Sequence, residues 1–148
     1  MLAREDQGGV LVEGVILQFE KGKVIRSEAH KGARFLRTQL AIDPGAAQLG
    51  EFSLTDRRFS KIDHFMANTL YDENFGGRHG NCHVAVGSSY LQAFNGDRRH
   101  LKSADKKALG FNQSAIHWDM VNTEPKMVTA YLTGGKPKII YENGEFTL

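Results

Sequence analysis

Several kinds of residue are scarce in this sequence, and each scarcity excludes a class of protein. The 148 residues include one cysteine, Cys82, so the chain forms no internal disulfide and fits a reducing compartment. No apolar run approaches the ~18 residues of a membrane-spanning helix, and residues 1–9 are too polar for a secretion signal. The formal net charge is only +2, which argues against nucleic acid as a partner. We therefore expect a cytoplasmic protein that binds neither membrane nor nucleic acid.

What the sequence does contain is typical of one folded domain. Its hydrophobic content of 41% and charged content of 24% are ordinary for a globular protein, and the chain is long enough to bury a core. We expect a loose N-terminal segment over residues 1–9 and a single domain over residues 10–148. Strand patterns at both ends enclose helix-like patterns, which predicts an α+β fold around a largely antiparallel sheet with hairpins.

Alternating apolar residues and turn signals predict the individual elements. Residues 10–19 and 23–29 predict a hairpin, whereas residues 32–42 and 60–71 have helical spacing. Asp43-Pro44 is a typical helix start, which predicts a short helix up to Gly50. The other predicted elements are a helix at 103–109 and strands at 52–55, 82–87, 115–121, 127–132, 138–141 and 145–148.

Two strand-like segments carry residues that bind metals. Residues 82–87 predict a strand that directs His83 to the same face as two very small residues, which leaves room for an ion or a substrate. In His117-x-Asp119, an imidazole and a carboxylate two positions apart on a strand also share a face. Imidazole and carboxylate ligands together suit divalent metals, so the two segments point to one metal site.

Carboxylates and a tyrosine extend this hypothesis. Glu51 and Glu73 each stand where a predicted element meets a loop, which is the usual position of site residues. Tyr90 either packs in the core or offers its hydroxyl to a reaction centre. Taken singly, a histidine on a strand, a short His-x-Asp pair or an exposed carboxylate is more often structural. The residues by themselves therefore predict an α+β domain with a mixed histidine and carboxylate metal site.

Five motifs follow one another over nearly the whole chain. They are EG at 13–14 with FEKGKV at 19–24, DPGAAQLGE at 43–51, NTLYDEN at 68–74, CHVAVG at 82–87 and NQSAIHWD at 112–119. In this order and at these intervals, they resemble the C-terminal metal-binding domain of the aminopeptidase T-type, or thermophilic, metallo-aminopeptidase family.

The resemblance implies a reaction and a role for each candidate residue. Glu51 matches the carboxylate that bridges two metal ions, and Tyr90 matches a catalytic tyrosine beside them. The other metal-site positions are matched by Glu73, His83, His117 and Asp119. The family removes N-terminal amino acids from peptides and uses two divalent ions such as zinc, cobalt or magnesium. The implied partners are therefore peptide substrates and, in a homodimer, a second copy of the chain.

Two departures from the family pattern leave alternatives open. Family members carry a large N-terminal α/β domain and one further glutamate ligand just before the point that matches the start of this chain. The glycine-rich loop between Glu73 and His83 is also longer than in the best-known members. One alternative is a truncated domain that holds a single ion or dimerises, with weak or no turnover. Another is a plain binding module in which the histidines and the aspartate are structural.

Overall fold

A computed structural model of the chain describes residues 2–3, 10–66 and 68–147. Within these residues, the chain forms three α-helices and ten strands, which confirms the α+β class. The helices are α1 (Ala33–Leu40), α2 (Thr69–Asp72) and α3 (Ser103–Ala108). The strands are β1 (Leu2–Ala3), β2 (Val12–Glu13), β3 (Ile16–Glu20), β4 (Lys23–Glu28), β5 (Leu49–Thr55), β6 (Asn81–Gly87), β7 (His117–Asn122), β8 (Met127–Ala130), β9 (Lys138–Glu142) and β10 (Glu145–Phe146).

The described strands belong to three sheets. The largest has the order β2-β1-β7-β6-β5, the second has the order β10-β9-β8, and β3 pairs with β4 alone. The hairpins β3–β4, β8–β9 and β9–β10 are antiparallel, as the sequence predicts. Of the segment 1–9 that we expect to be loose, the structure describes Leu2–Ala3 as β1, and the rest lies outside the described residues. None of the helices in the described ranges is long and apolar enough to cross a membrane.

The chain divides into two compact units, of which the first comprises the described parts of residues 53–83 and 121–148. Tyr141 lies at its centre with 0% exposure, donates its hydroxyl to Thr55 O at 2.8 Å and meets the ring of Phe146 edge-on. Asn143-Gly144 joins β9 to β10 with φ values of +54° and +84°, which fits the type I′ hairpin turn that Asn-Gly predicts.

The second unit comprises the described parts of residues 2–52 and 84–120. Helix α1 buries Leu36 completely, and Phe35 on the same helix meets Trp118 edge-on at 6.0 Å between ring centroids. This agrees with the helical spacing of the apolar residues in 32–42. The buried indole of Trp118 fixes one side of β7, so the residues on either side of it in sequence face the opposite side.

The prediction of a short helix after Asp43 is wrong. Residues 43–47 form turns, and β5 begins at Leu49. The Asp43 carboxylate accepts hydrogen bonds from Gly45 N at 2.8 Å and from Ala115 N at 2.6 Å. Because one oxygen is committed to a residue far away in sequence, this side chain fastens a turn to a distant loop and does not cap a helix.

The helix predicted over residues 60–71 is reduced to the four residues of α2. The buried carboxylate of Asp72 accepts hydrogen bonds from Met66 N at 2.8 Å and Asn68 N at 3.1 Å. These bonds hold the preceding chain in an irregular path, and Phe65 stacks on Phe75 at 4.6 Å between centroids. Tertiary contacts thus override the helical spacing of the apolar residues.

Candidate metal centre

Strand β7 carries His117 and Asp119 on one face, as their spacing predicts. Nε2 of His117 lies 3.3 Å from Oδ1 of Asp119 and 3.6 Å from Oε2 of Glu51. The side chain of Asp119 is buried with 6% exposure, that of His117 is 12% exposed, and that of Glu51 is half-buried. An imidazole therefore stands between two carboxylates at the surface of the second unit.

Glu51 reaches this position because β5 approaches the end of β6 unusually closely. A Cβ added at Gly50 would lie 2.6 Å from Gly87 O, so only glycine fits before Glu51. Gly87 N also donates to Gln48 O at 2.8 Å. The sequence predicts Glu51 at the head of a strand, whereas the structure places it inside the seven-residue strand β5.

A main-chain carbonyl fixes the orientation of His117. Its Nδ1 donates to Ser88 O at 2.6 Å, which turns Nε2 towards the carboxylates. Burial lowers the pKa of His117, but hydrogen bonds to Asp119 and Ser88 and the charges of Asp119 and Glu51 outweigh it and raise the pKa to about 9. Two carboxylates that stabilise an imidazolium in this way also suit a divalent cation.

Tyr90 stands at the open side of this cluster. Its ring packs on the ring of His117 with 4.1 Å between centroids, and the residue is 52% exposed. The main chain beside it is held by Ser89 N, which donates to Asn112 O at 3.0 Å. Of the two roles that the sequence leaves open for Tyr90, the core role is therefore excluded.

The first unit contributes Glu73 and His83. Glu73 ends α2, and His83 lies in β6 with 4% exposure. Nδ1 of His83 donates to Glu73 O at 3.0 Å, which fixes the rotation of the ring and so the direction of Nε2. In β6, His83 and Ala85 are buried, whereas Cys82 and Val84 on the other face are half-buried. Burial raises the pKa of the Cys82 thiol, which disfavours the thiolate form that a metal ligand requires.

The donor atoms fit a divalent metal. In the first unit, Glu73 and His83 each offer one ligand atom, and these two atoms lie within 4.8 Å of each other. In the second unit, Oδ1 of Asp119 is buried, and apart from its contact with Nε2 of His117 at 3.3 Å it has no hydrogen-bond partner within the described residues, so a cation would satisfy this oxygen. Carboxylate and imidazole together suit zinc, cobalt and related ions.

Sequence reasoning misses residues that act through the main chain. Ser88 orients His117 through its carbonyl, a group that every residue has, so no local pattern marks it. Asn112 is also missed, although its Nδ2 donates to Gly45 O at 2.8 Å and Gly87 O at 2.6 Å. These contacts join segments distant in sequence, and only the folded chain reveals them.

Comparisons with known proteins identify the family of the chain. A family model described as thermophilic metalloprotease (M29) matches residues 6–146. Aminopeptidase T of Thermus thermophilus is 33% identical over 144 residues, which are 95% of this chain and 33% of that protein. Aminopeptidase AmpS of Bacillus subtilis is 30% identical over 142 residues, again 33% of that protein.

The similarity extends to three dimensions. The structure of wild-type AmpT from Thermus thermophilus superposes with a TM-score of 0.74 at 28% identity, covering 99% of this chain and 36% of that one. The chain thus spans about a third of the length of the curated relatives that it matches. Because the family match covers nearly all of the sequence, the chain belongs to the thermophilic metalloprotease (M29) family.

Proposed function

We propose that residues 10–148 form a metallo-aminopeptidase domain that removes N-terminal amino acids from peptides. The observation that carries the proposal is the cluster of His117, Glu51 and Asp119, with the exposed Tyr90 ring packed on the imidazole. Family membership and the names of the relatives support the same activity.

The proposed ligands are Glu51, Glu73, His83, His117 and Asp119, and they would hold two divalent ions, zinc, cobalt or magnesium, with Glu51 as the bridge. When bound, such ions supply Lewis acidity and an activated water for hydrolysis of the peptide bond. The carbonyls of Ser88 and Glu73 support this assignment, because they direct Nε2 of His117 and of His83 away from the main chain.

Tyr90 and Glu51 are the proposed catalytic residues. The phenol stands beside the ligand cluster and is half exposed, so its hydroxyl can donate to the oxyanion that develops on the scissile carbonyl. Glu51 is only half-buried, which leaves its carboxylate accessible to substrate and solvent. Selection for a free N-terminal amine would follow if the amine displaced a weak ligand at this centre.

The proposal includes a cellular setting and an assembly. A single cysteine supports a reducing, cytoplasmic compartment. The family resemblance supports a homodimer, and light scattering on the purified chain would measure its mass against 16.5 kDa for the monomer.

One paired measurement tests the function. The purified 148-residue chain is loaded with zinc, cobalt or magnesium, its metal content is measured by elemental analysis, and release of product from a leucyl or arginyl chromogenic amide is followed. We expect up to two ions per chain and metal-dependent release. Bound metal without release would favour the alternative of a domain with weak or no turnover, and neither metal nor release would overturn the proposal.

A further inference from the structure

Asn81 begins β6, two residues before His83, and is completely buried. Its Nδ2 donates to Glu73 O at 2.6 Å and to Asp72 O at 3.4 Å. Only an amide nitrogen suits this position, because an oxygen would repel both carbonyls. One side chain on β6 therefore holds the main chain at the end of α2.

The carbonyl of Glu73 connects Asn81 with both proposed ligands of the first unit. It accepts one hydrogen bond from Asn81 Nδ2 at 2.6 Å and one from His83 Nδ1 at 3.0 Å. The two lone pairs of this oxygen are thus engaged by two side chains of β6. The peptide that carries the Glu73 side chain is fixed relative to the strand that carries the His83 imidazole.

The loop between these residues could not maintain this geometry unaided. Residues 74–80 include three glycines, and Gly77 and Gly80 have φ values of +52° and +58°. The far end of the loop is held by Lys126 Nζ, which donates to His79 O at 3.0 Å and Gly80 O at 3.3 Å. Asn81, which follows the loop, connects it back to the residue before the loop through its hydrogen bond to Glu73 O.

A second feature separates Asn81 from an ordinary buried amide. Its Oδ1 is buried and makes no hydrogen bond within the described residues. An unpaired buried oxygen disfavours the folded state, which offsets part of the stability that the two N–H hydrogen bonds provide. The particular contribution of the amide is its two N–H donors, and both point at the peptide groups of Asp72 and Glu73.

We propose that Asn81 is a positioning residue that holds the Glu73 carboxylate and the His83 imidazole in the arrangement required to bind a divalent ion. The role rests on the metal site of the proposed function, but it does not depend on peptide cleavage. Loss of the Asn81 hydrogen bonds should leave the fold intact and allow Glu73 to move relative to His83. Metal binding should then weaken, and the coordination of the bound ion should change.

The test uses the 148-residue chain and cobalt(II) alone. Asn81→Leu has a similar volume and lacks both donors, whereas Asn81→Ser retains one donor on a shorter side chain. The control is Lys126→Met, which also removes a donor to two main-chain carbonyls of the same loop. Three quantities are measured: the melting temperature with chelator, the cobalt affinity by chelator competition, and the visible absorption spectrum of the bound cobalt.

We expect Asn81→Leu to melt within a few degrees of the parent chain, to bind cobalt about tenfold to a hundredfold more weakly, and to show an altered spectrum. Asn81→Ser should lie between the parent chain and Asn81→Leu in affinity, and Lys126→Met should retain the parent spectrum. If Asn81→Leu does not fold, the cobalt affinity and the absorption spectrum of Asn81→Ser test the proposal instead.

The outcomes separate this inference from the proposed function. If the parent chain binds cobalt and the folded Asn81 variants match it in affinity and spectrum, the positioning role is overturned and the metal site stands. If Lys126→Met changes the spectrum as much as the Asn81 variants do, the effect belongs to the loop in general, and the specific role of Asn81 is overturned. If the parent chain binds no cobalt, the metal site and this inference are both overturned.

Discussion

Histidine 117 and histidine 83 use their two ring nitrogens in the same way. In each, Nδ1 donates to a main-chain carbonyl, that of Ser88 at 2.6 Å for His117 and that of Glu73 at 3.0 Å for His83. Such a bond selects the tautomer and the rotation of the ring, and so sets the direction of Nε2. The carbonyl contacts therefore fix the orientation of both imidazoles, which the proposed function assigns as metal ligands.

At the residue scale, Glu51→Gln tests the proposed bridge. An amide is a neutral and weaker ligand than a carboxylate, so we expect the variant to lose most of its bound metal. Metal content after dialysis against zinc or cobalt is the measurement, and Glu20→Gln, at an exposed position of β3, is the control. Unchanged metal content in Glu51→Gln would contradict the bridging role.

Tyr90→Phe separates catalysis from metal binding. The variant keeps the ring that packs on His117 and loses only the hydroxyl. If that hydroxyl stabilises the developing oxyanion, kcat should fall roughly 10²- to 10³-fold while metal content stays the same. Turnover of a leucyl chromogenic amide and elemental analysis measure the two effects. A variant with full kcat would remove Tyr90 from the catalytic residues.

Asp56 makes the stability of the chain depend on pH. The Arg58 guanidinium, against the opposing effect of burial and with the N–H groups of Phe146 and Arg58, holds the pKa of Asp56 well below its usual range. The folded pKa lies below the unfolded value of about 3.9, so this stabilisation is present above about pH 4 and is lost as the pH falls towards the folded pKa.

Asp56→Asn should therefore lower the free energy of unfolding by roughly 2 kcal/mol near neutral pH and by progressively less below about pH 4. Urea unfolding between pH 3 and pH 8 measures the difference between the two proteins. Asp63→Asn alters a carboxylate that is 88% exposed and should change stability by less than about 0.5 kcal/mol. A difference that stays constant down to low pH would contradict this account of Asp56.

At the element scale, the end of β6 controls how His117 is oriented. Gly87 has φ +97°, and a Cβ there would collide with Ile116 O. The next residue is Ser88, whose carbonyl accepts from His117 Nδ1 and whose N donates to Ile116 O at 2.7 Å. The end of β6 and the start of β7 therefore together set the position of the His117 imidazole.

We expect Gly87→Ala to destabilise the chain by about 1–3 kcal/mol and to weaken metal binding, because it moves the Ser88 carbonyl away from His117. Gly110→Ala is a matched control, since Gly110 has φ +82° with no neighbouring atom within 4 Å of an added Cβ. The control should lose stability of the order of 1 kcal/mol and retain its metal affinity. Equal metal affinity in both variants would exclude this coupling.

At the scale of the whole molecule, metal binding should stabilise the folded chain, because ligands from separate parts of the sequence assemble only on folding. Metal at 100 times its dissociation constant would add about 2.7 kcal/mol, which corresponds to a rise in melting temperature of roughly 5–10 °C. Differential scanning calorimetry with zinc and with a chelator measures the shift. Asp119→Asn should reduce it strongly, and an unchanged melting temperature in the parent chain would argue against a site of this kind.

The family match covers nearly the whole chain, whereas the chain itself spans about a third of the length of aminopeptidase T and of AmpS. The peptide substrates and the homodimer stay predictions, for which the assays of turnover and mass are the tests.

The sequence by itself determined the features whose causes are local. The alternation around His117 and Asp119 placed both on one face of β7, Asn143-Gly144 specified the turn between β9 and β10, and the spacing in 32–42 gave α1. Five ordered motifs were also enough to identify the family. Period, turn chemistry and motif order are properties of neighbouring residues, which is why a sequence shows them.

Only the tertiary structure decided where side chains find distant partners. Asp43 resembles a helix cap, yet its carboxylate binds Ala115 N, and Asp72 holds the preceding chain out of a helix. Asn81 in the glycine-rich stretch carried no signal in the sequence, although its amide fastens Glu73. A carboxylate or amide offers the same atoms to a near or a distant partner, and folding alone determines which partner comes within hydrogen-bonding distance.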